Sequence, residues 1–173
     1  MKKLSNLSLI IIILMTLSCS AVKETSTEEN STPVQVEENE GNELNYDILK
    51  KEVLDGAGEE GIKQGVIKID NNQDFVALVN KMNSVNDEVK TEELIRNVHF
   101  FKDHVLLFVF DEVRGSRGYE LKIGDITEYS EKIQVNVNIQ SPQGPSAEVM
   151  SQPYMILQIP LTDKPVVSNF NEQ

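Results

Sequence analysis

The chain has little cysteine, histidine or basic charge. Its 173 residues include one cysteine, two histidines and no tryptophan. A single cysteine cannot form an internal disulfide, and there is no second cysteine with which to build a zinc site. Lys and Arg number 16 against 28 Asp and Glu, which gives a formal net charge of −12. An acidic surface repels phosphate backbones and anionic head groups, so we expect neither nucleic-acid binding nor a polybasic contact with a membrane.

The sequence motifs of common catalytic sites are also missing. His99 and His104 are five residues apart and lack the i, i+4 spacing of a zinc-protease helix. No serine lies in a Gly-x-Ser-x-Gly motif, and no glycine-rich phosphate loop precedes a helix. The triplet Asp70-Asn71-Asn72 lacks the glycine and the distal glutamate of a calcium loop. The sequence therefore predicts a protein that is not an enzyme and that binds no metal or cofactor.

The N-terminus has the layout of a secretory signal peptide. The first three residues include two lysines, and residues 7–17 form an apolar run that only Ser8 and Thr16 interrupt. A helix needs roughly 20 apolar residues to span a bilayer, so this run is too short for a permanent transmembrane anchor. We therefore predict a signal peptide over residues 1–18.

Cys19 follows this apolar run and resembles the lipid acceptor of bacterial lipoproteins. Ser18 is a small residue directly before the cysteine, although Thr16 takes the position where such signals usually have leucine. Two or more acyl chains on Cys19 would give stable anchoring. We predict cleavage before Cys19, acylation there, and anchoring in the cell envelope, at the outer membrane or cell surface rather than the inner membrane. The alternative is cleavage after Ala21 and release as a soluble protein.

Residues 20–43 have the composition of a disordered acidic tether. This segment is rich in Glu, Ser, Thr and Asn and has no helical or strand period. It cannot bury enough apolar surface to offset its chain entropy. We therefore divide the chain into the signal peptide 1–18, the lipidated cysteine with its tether 19–43, and one folded domain over residues 44–173.

The folded part is predicted to be α+β. An amphipathic helix is expected behind the N-cap Asn71, with Phe75, Leu78 and Met82 on its apolar face, and a second short helix is expected near Thr91. Continuous or alternating apolar residues predict strands elsewhere, although the first of them also fits a short helix. The predicted strands cover residues 46–54, 66–69, 104–110, 119–123, 133–139, 154–159 and 166–170.

Short turns suggest how these strands connect. Residues 115–118 would join strand 104–110 to strand 119–123 in a hairpin, and residues 128–131 would form the next hairpin. The run 104–110 is apolar throughout, which is typical of a strand covered on both faces. The expected architecture is an antiparallel meander sheet of about five to seven strands with one or two helices packed on one face.

Several segments resemble the PrcB C-terminal domain family. Residues 56–62, the strand at 66–69 and the helix around Phe75 resemble the family's opening, and the Gly118-Tyr119 strand followed by the Pro153-Tyr154 strand is similar to its most recognisable pattern. The family is named for a lipoprotein subunit that associates with and stabilises a surface protease complex. The resemblance therefore implies a non-catalytic accessory role, with an envelope protein such as a protease as partner.

These segments provide a candidate interaction surface. Its residues are Arg117, Gly118, Tyr119, Pro153 and Tyr154. Arg117 stands where the family pattern has a glycine, and a left-handed backbone there would cost free energy that glycine avoids. The two tyrosines also fit a purely structural role, with their rings stacked at or near the sheet.

Two further features complete the functional prediction. The turn 115–118 and the loop 141–151 are expected to meet at one end of the sheet as a docking surface, and the edge strand 166–170 could accept a strand from a partner. The leading hypothesis is a lipid-anchored, non-catalytic envelope protein that binds and stabilises another protein. The alternative is an envelope domain that binds a small ligand or a cell-wall component.

Overall fold

The computed structural model describes residues 40–86 and 100–173. The predicted signal peptide, Cys19, most of the predicted tether, the expected helix near Thr91 and His99 lie outside the described residues. No helix in the described part of the chain has the length and apolarity needed to cross a membrane. The elements are β1 (Asn42–Glu43), β2 (Asp47–Leu54), β3 (Gly65–Ile69), α1 (Asn72–Met82), α2 (Phe100–Asp103), β4 (His104–Phe110), β5 (Glu120–Glu128), β6 (Ile133–Gln140), β7 (Gln152–Pro160) and β8 (Val166–Glu172).

The strands form two four-stranded sheets, so the prediction of a single meander is wrong. The central sheet has the order β2-β7-β4-β3 and is antiparallel throughout. The outer sheet has the order β1-β5-β6-β8, in which β6 and β8 run parallel. The predicted strands, including β2, are present, but the domain is mainly β rather than evenly α+β. The predicted boundary between tether and domain is wrong by at least two residues, because Asn42 and Glu43 of the predicted tether form β1 and pair with β5.

The expected hairpin between β4 and β5 is also wrong. β4 pairs with β3 on one side and with β7 on the other, so both of its edges are occupied within the central sheet. β5 instead belongs to the outer sheet. The hairpin predicted between β5 and β6 is confirmed, with Glu128 opposite Ile133 and a hydrogen bond of 2.8 Å from the Tyr129 amide to the Lys132 carbonyl.

Helix α1 covers one face of the central sheet, as its sequence pattern predicts. The Asn71 side chain accepts a hydrogen bond of 2.9 Å from the Asp74 amide, which satisfies one of the free donors at the helix start. On the buried side of α1, Phe75 meets Phe108 of β4 edge to face, with ring centroids 6.1 Å apart. Because side chains alternate along a strand, Leu106, Phe108 and Phe110 all face this helix.

The opposite face of the central sheet packs against the outer sheet. Val105 and Leu107 of β4 lie in one apolar cluster with Val135 and Val137 of β6. Residues 105–110 are fully buried as a result, which confirms the prediction of a strand covered on both faces. The domain is thus built of three layers, with α1, the central sheet and the outer sheet in that order.

Candidate functional site

Several loops gather where the strands of the central sheet end. Antiparallel pairing places Leu54 opposite Gln152 and Phe110 opposite Tyr154. The segments 55–64, 111–119 and 141–151 therefore leave the sheets at the same end of the domain. We call these three segments the Arg114 end.

A buried ion pair lies at the centre of the Arg114 end. Asp111, which directly follows β4, has no exposed surface and binds Arg114 through both carboxylate oxygens. The Nε–Oδ2 distance is 2.8 Å and the Nη2–Oδ1 distance is 2.9 Å. Hydrogen bonding to Asp111 raises the pKa of Arg114 although burial opposes this, so the guanidinium stays charged. Two-point contact of this kind fixes the guanidinium plane as well as its position.

Arg114 also connects the central sheet to the outer sheet. Its Nη1 atom lies 2.7 Å from the Glu172 carboxylate of β8 and 2.9 Å from the exposed Glu112 carboxylate. The guanidinium carbon is 4.7 Å from the centroid of the Tyr119 ring, which is a cation–π distance. One side chain therefore holds together the end of β4, the end of β8 and the start of β5.

Gln152 supports the same loops from below. Its amide nitrogen donates to the Asp111 carbonyl at 2.7 Å and to the Ile62 carbonyl at 3.0 Å, and the residue is buried. Beside it, Arg114 and Ser151 exchange backbone hydrogen bonds of 2.8 and 3.0 Å. The base of the loop 141–151 is therefore fixed to the segment 111–119.

Three of the five predicted site residues line one cleft. Tyr119, Pro153 and Tyr154 border a cleft of about 310 Å³ between β2 and the start of β5, together with Lys51 and Glu52. The two sheets approach each other here at their edges, since β2 is an edge strand and β1 pairs only with the far end of β5.

The two tyrosines of this cleft stack on different partners. Tyr154 lies over Phe110, with centroids 6.0 Å apart, and donates a hydrogen bond of 3.2 Å to the Glu52 carboxylate. Burial raises the pKa of Tyr154, and the negative charge of Glu52 raises it further. Tyr119 instead packs on Arg114. The structural role considered for these rings is therefore present, with partners that the sequence did not identify.

Arg117 and Gly118 line a second, shallower depression with the loop 142–147. The Arg117 amide donates to the Ala147 carbonyl at 3.0 Å, and its guanidinium binds Asp55 at 2.6 Å. Gly118 has φ +97°, and a Cβ atom there would lie 3.3 Å from Pro142. Among the described non-glycine residues Ala57 alone has positive φ, so Arg117 does not carry the backbone strain considered from the sequence.

The predicted surface residues thus fall into two neighbouring groups. The turn 115–118 and the loop 141–151 lie against each other, and Val149 and Met150 on that loop are 44% and 51% exposed. Sequence reasoning missed Asp111, Arg114 and Glu172. An Asp-x-x-Arg pattern just after a buried strand was a usable signal for the first two, but nothing local marks Glu172 as their partner.

Metal ligands do not cluster in the part of the chain that the structure describes. No group of three or more His, Cys, Asp or Glu side chains there could hold a metal ion. His104 lies at the start of β4, opposite Pro160 and away from the Arg114 end.

The fold and the site define a layered β domain that presents braced loops at one end. Residues 105–160, from β4 to β7, match the family model described as PrcB C-terminal. This match confirms the resemblance over residues 105–160, a segment that includes all five predicted surface residues. The segments 56–62 and 66–69 lie outside the match, which spans less than half of the chain. No curated protein sequence and no solved structure matches the chain significantly.

Proposed function

We propose that this chain is a lipid-anchored, non-catalytic accessory protein that binds another envelope protein through its Arg114 end. The family name suggests an accessory role at a protease complex, so such a complex is the first candidate partner. The observation that carries the proposal is the contact between the turn 115–118 and the loop 141–151, which stand over the buried Asp111–Arg114 pair.

The physical character of this surface suits protein binding. Binding residues commonly lie on loops that a rigid scaffold holds in place, and here the scaffold is the ion pair together with Gln152. Adjacent Val149 and Met150 offer apolar area to a partner, and the exposed Arg117–Asp55 pair lies on the same surface. An apolar patch with a polar rim is the usual anatomy of an interface.

The chain enters the domain far from this surface. β1 pairs with Thr127 and Glu128 at the end of β5, whereas the Arg114 end adjoins the start of the same strand. At about 3.3 Å per residue, β5 separates the two regions by roughly 25 to 30 Å. β1, the first described strand, therefore lies at the end of the domain opposite the Arg114 end.

Site-specific photo-crosslinking in the native envelope tests this proposal. A photoreactive amino acid is placed at Met150, and a matched control is placed at Leu161, which is 53% exposed at the opposite end of the domain. We expect Met150 to form an adduct with one envelope protein, identified by mass spectrometry, and Leu161 to form none. Equal labelling from both positions, or no adduct from Met150 when the protein is abundant, would contradict the proposal.

The cleft beside Tyr119 supports a second candidate function, the binding of a small ligand or a cell-wall fragment. Its volume of about 310 Å³ lies at the lower end of the range seen for ligand sites. NMR titration with soluble cell-wall fragments tests it. Shifts confined to Tyr119, Pro153 and their neighbours would support ligand binding, and an unchanged spectrum at millimolar fragment would remove this candidate.

A further inference from the structure

Sheets in folded proteins usually protect the backbone groups along their edges, and most edges here are protected. β2 carries an irregularity between Ile48 and Lys50, and its neighbour Lys51 is exposed. β3 has five residues, and its Lys68 side chain reaches over to the Thr162 and Lys164 carbonyls. Lysines, bulges and short strands are the devices that block pairing with another chain.

The β5 edge of the outer sheet is protected in the same way. β1 covers its last two residues, and the register shifts between Ile123 and Asp125. An exposed lysine, Lys122, lies beside this irregularity. A bulge of this kind twists the strand and disrupts pairing.

β8 differs from these three edges. It has seven residues, contains neither lysine nor proline, and keeps continuous register with β6 from Val166 to Glu172. It is the last strand of the outer sheet, and Val167 on it is 41% exposed. A regular edge of this length without blocking features is a template for a further strand.

The hydrogen bonds of β8 show which backbone groups are available. The Ile133 amide donates to the Pro165 carbonyl, and the Gln173 amide donates to the Ile139 carbonyl. Because a strand alternates the direction of its backbone groups, odd-numbered residues bond to β6 and even-numbered residues point away. The outward amides and carbonyls are those of Val166, Ser168, Phe170 and Glu172. Among the described residues, no backbone hydrogen bond outside the β6 ladder involves them.

Apart from Glu172, the β8 edge is uncharged, so a second copy of the chain can pair there without the like-charge repulsion that it meets elsewhere. The protein has a formal net charge of −12, so two copies repel each other over most of their surfaces. The outward faces of β6 and β8 are uncharged, with Gln134, Asn136, Asn138, Val167 and Asn169. The one charged residue of β8 is Glu172, which is paired with Arg114.

We propose that β8 pairs antiparallel with β8 of a second copy about a two-fold axis at Asn169, so that the two outer sheets join into one. In this register Val167 lies opposite Asn171 of the second copy. Ser168 exchanges backbone hydrogen bonds with Phe170 of the second copy. Glu172 lies opposite Val166, so the two glutamates do not meet. The two Arg114 ends lie at opposite ends of the dimer, and the inference does not depend on the proposed accessory role.

Disulfide trapping tests this register. At a non-hydrogen-bonded antiparallel pair the two Cα atoms are about 4.5 Å apart, within disulfide reach, whereas two Asn171 residues would be roughly 13 Å apart. Asn169→Cys and Asn171→Cys are each introduced into the full chain carrying Cys19→Ala, so that the new thiol is the only one. In mild detergent under oxidising conditions, we expect covalent dimer from Asn169→Cys and none from Asn171→Cys. The absence of dimer from both, or dimer from Asn171→Cys alone, overturns the proposal.

A backbone variant tests the outward amides separately. Ser168→Pro removes an outward N–H and leaves the β6 ladder intact, while Ser168→Ala keeps that N–H. By sedimentation equilibrium, we expect Ser168→Pro to raise the dimer dissociation constant at least tenfold and Ser168→Ala to leave it unchanged. A monomeric parent protein across the concentration range, or equal dissociation constants for two folded variants, counts against the proposal. If Ser168→Pro fails to fold, the comparison of Asn169→Cys with Asn171→Cys still tests the proposed dimer.

Discussion

Asp111 and Arg114 form a buried two-point ion pair at the point where β4 leaves the central sheet. The pair lies three residues apart in sequence, yet it also reaches Glu172, the last residue of β8. Its position beneath the loops 111–119 and 141–151 means that a change at the pair alters the domain's stability and its candidate surface together.

Asp111→Ala is expected to destabilise the domain by about 3 kcal/mol, because it leaves a buried guanidinium without its main partner. Glu172 and Glu112 still contact Arg114 in this variant. The expected loss therefore lies at the lower end of the roughly 3 to 5 kcal/mol that breaking a buried ion pair usually costs. Urea unfolding followed by circular dichroism measures the change. Glu112→Ala is the control, since its carboxylate is 58% exposed and should change stability by less than about 0.5 kcal/mol. Similar losses in both variants would show that burial of the pair is not what matters.

Phe108→Ala is expected to cost about 3 to 5 kcal/mol, because the ring is fully buried between α1 and the central sheet. Val76→Ala on the exposed side of α1 serves as control and should change the free energy of unfolding by less than about 0.5 kcal/mol, since Val76 is 45% exposed. Thermal or urea unfolding distinguishes the two. A loss below about 1 kcal/mol for Phe108→Ala would contradict the three-layer packing.

The buried Tyr154 hydroxyl is expected to make the folded domain less stable at alkaline pH. Its pKa is raised in the folded state, mainly by burial, while an unfolded tyrosine ionises near pH 10. The folded state therefore holds the proton more tightly, and stability falls as the pH rises from about 10 toward the raised value. Tyr154→Phe removes this contribution, so its unfolding free energy should fall less steeply above pH 10. Parallel curves for the parent and the variant would show that Tyr154 contributes no pH dependence.

Cys19→Ala tests the proposed lipid anchor. We expect the variant to move from the membrane fraction to the soluble fraction or to remain unprocessed, because it has no thiol for acylation. Cell fractionation and intact mass of the mature protein give the readout, and Ser31→Ala in the predicted tether is the control. Unchanged membrane partition with an unshifted mature mass would contradict lipid attachment at Cys19.

Individual elements were predictable where a local pattern carries the information. The apolar run of β4, the alternation along β6 and the Asn71 cap each reflect forces that act within a few residues. The candidate surface was partly predictable as well, because the turn 115–118 and the loop 141–151 do lie together. The division of this surface into a cleft and a separate depression was not predictable from the sequence. It depends on distant partners, since the Tyr119 ring packs on Arg114 and the Tyr154 ring packs on Phe110.

The sequence by itself determined most of the strands, the main helix and its cap, and which faces are apolar, but it did not predict β1. The tertiary structure decided how the strands are shared between two sheets, that β8 runs parallel to β6, and that Arg114 meets Glu172. The physical reason is that an apolar strand requires cover but does not specify which strand provides it. That choice depends on long-range packing, in which β3 and β7 occupy both edges of β4 and leave β5 to begin a second sheet.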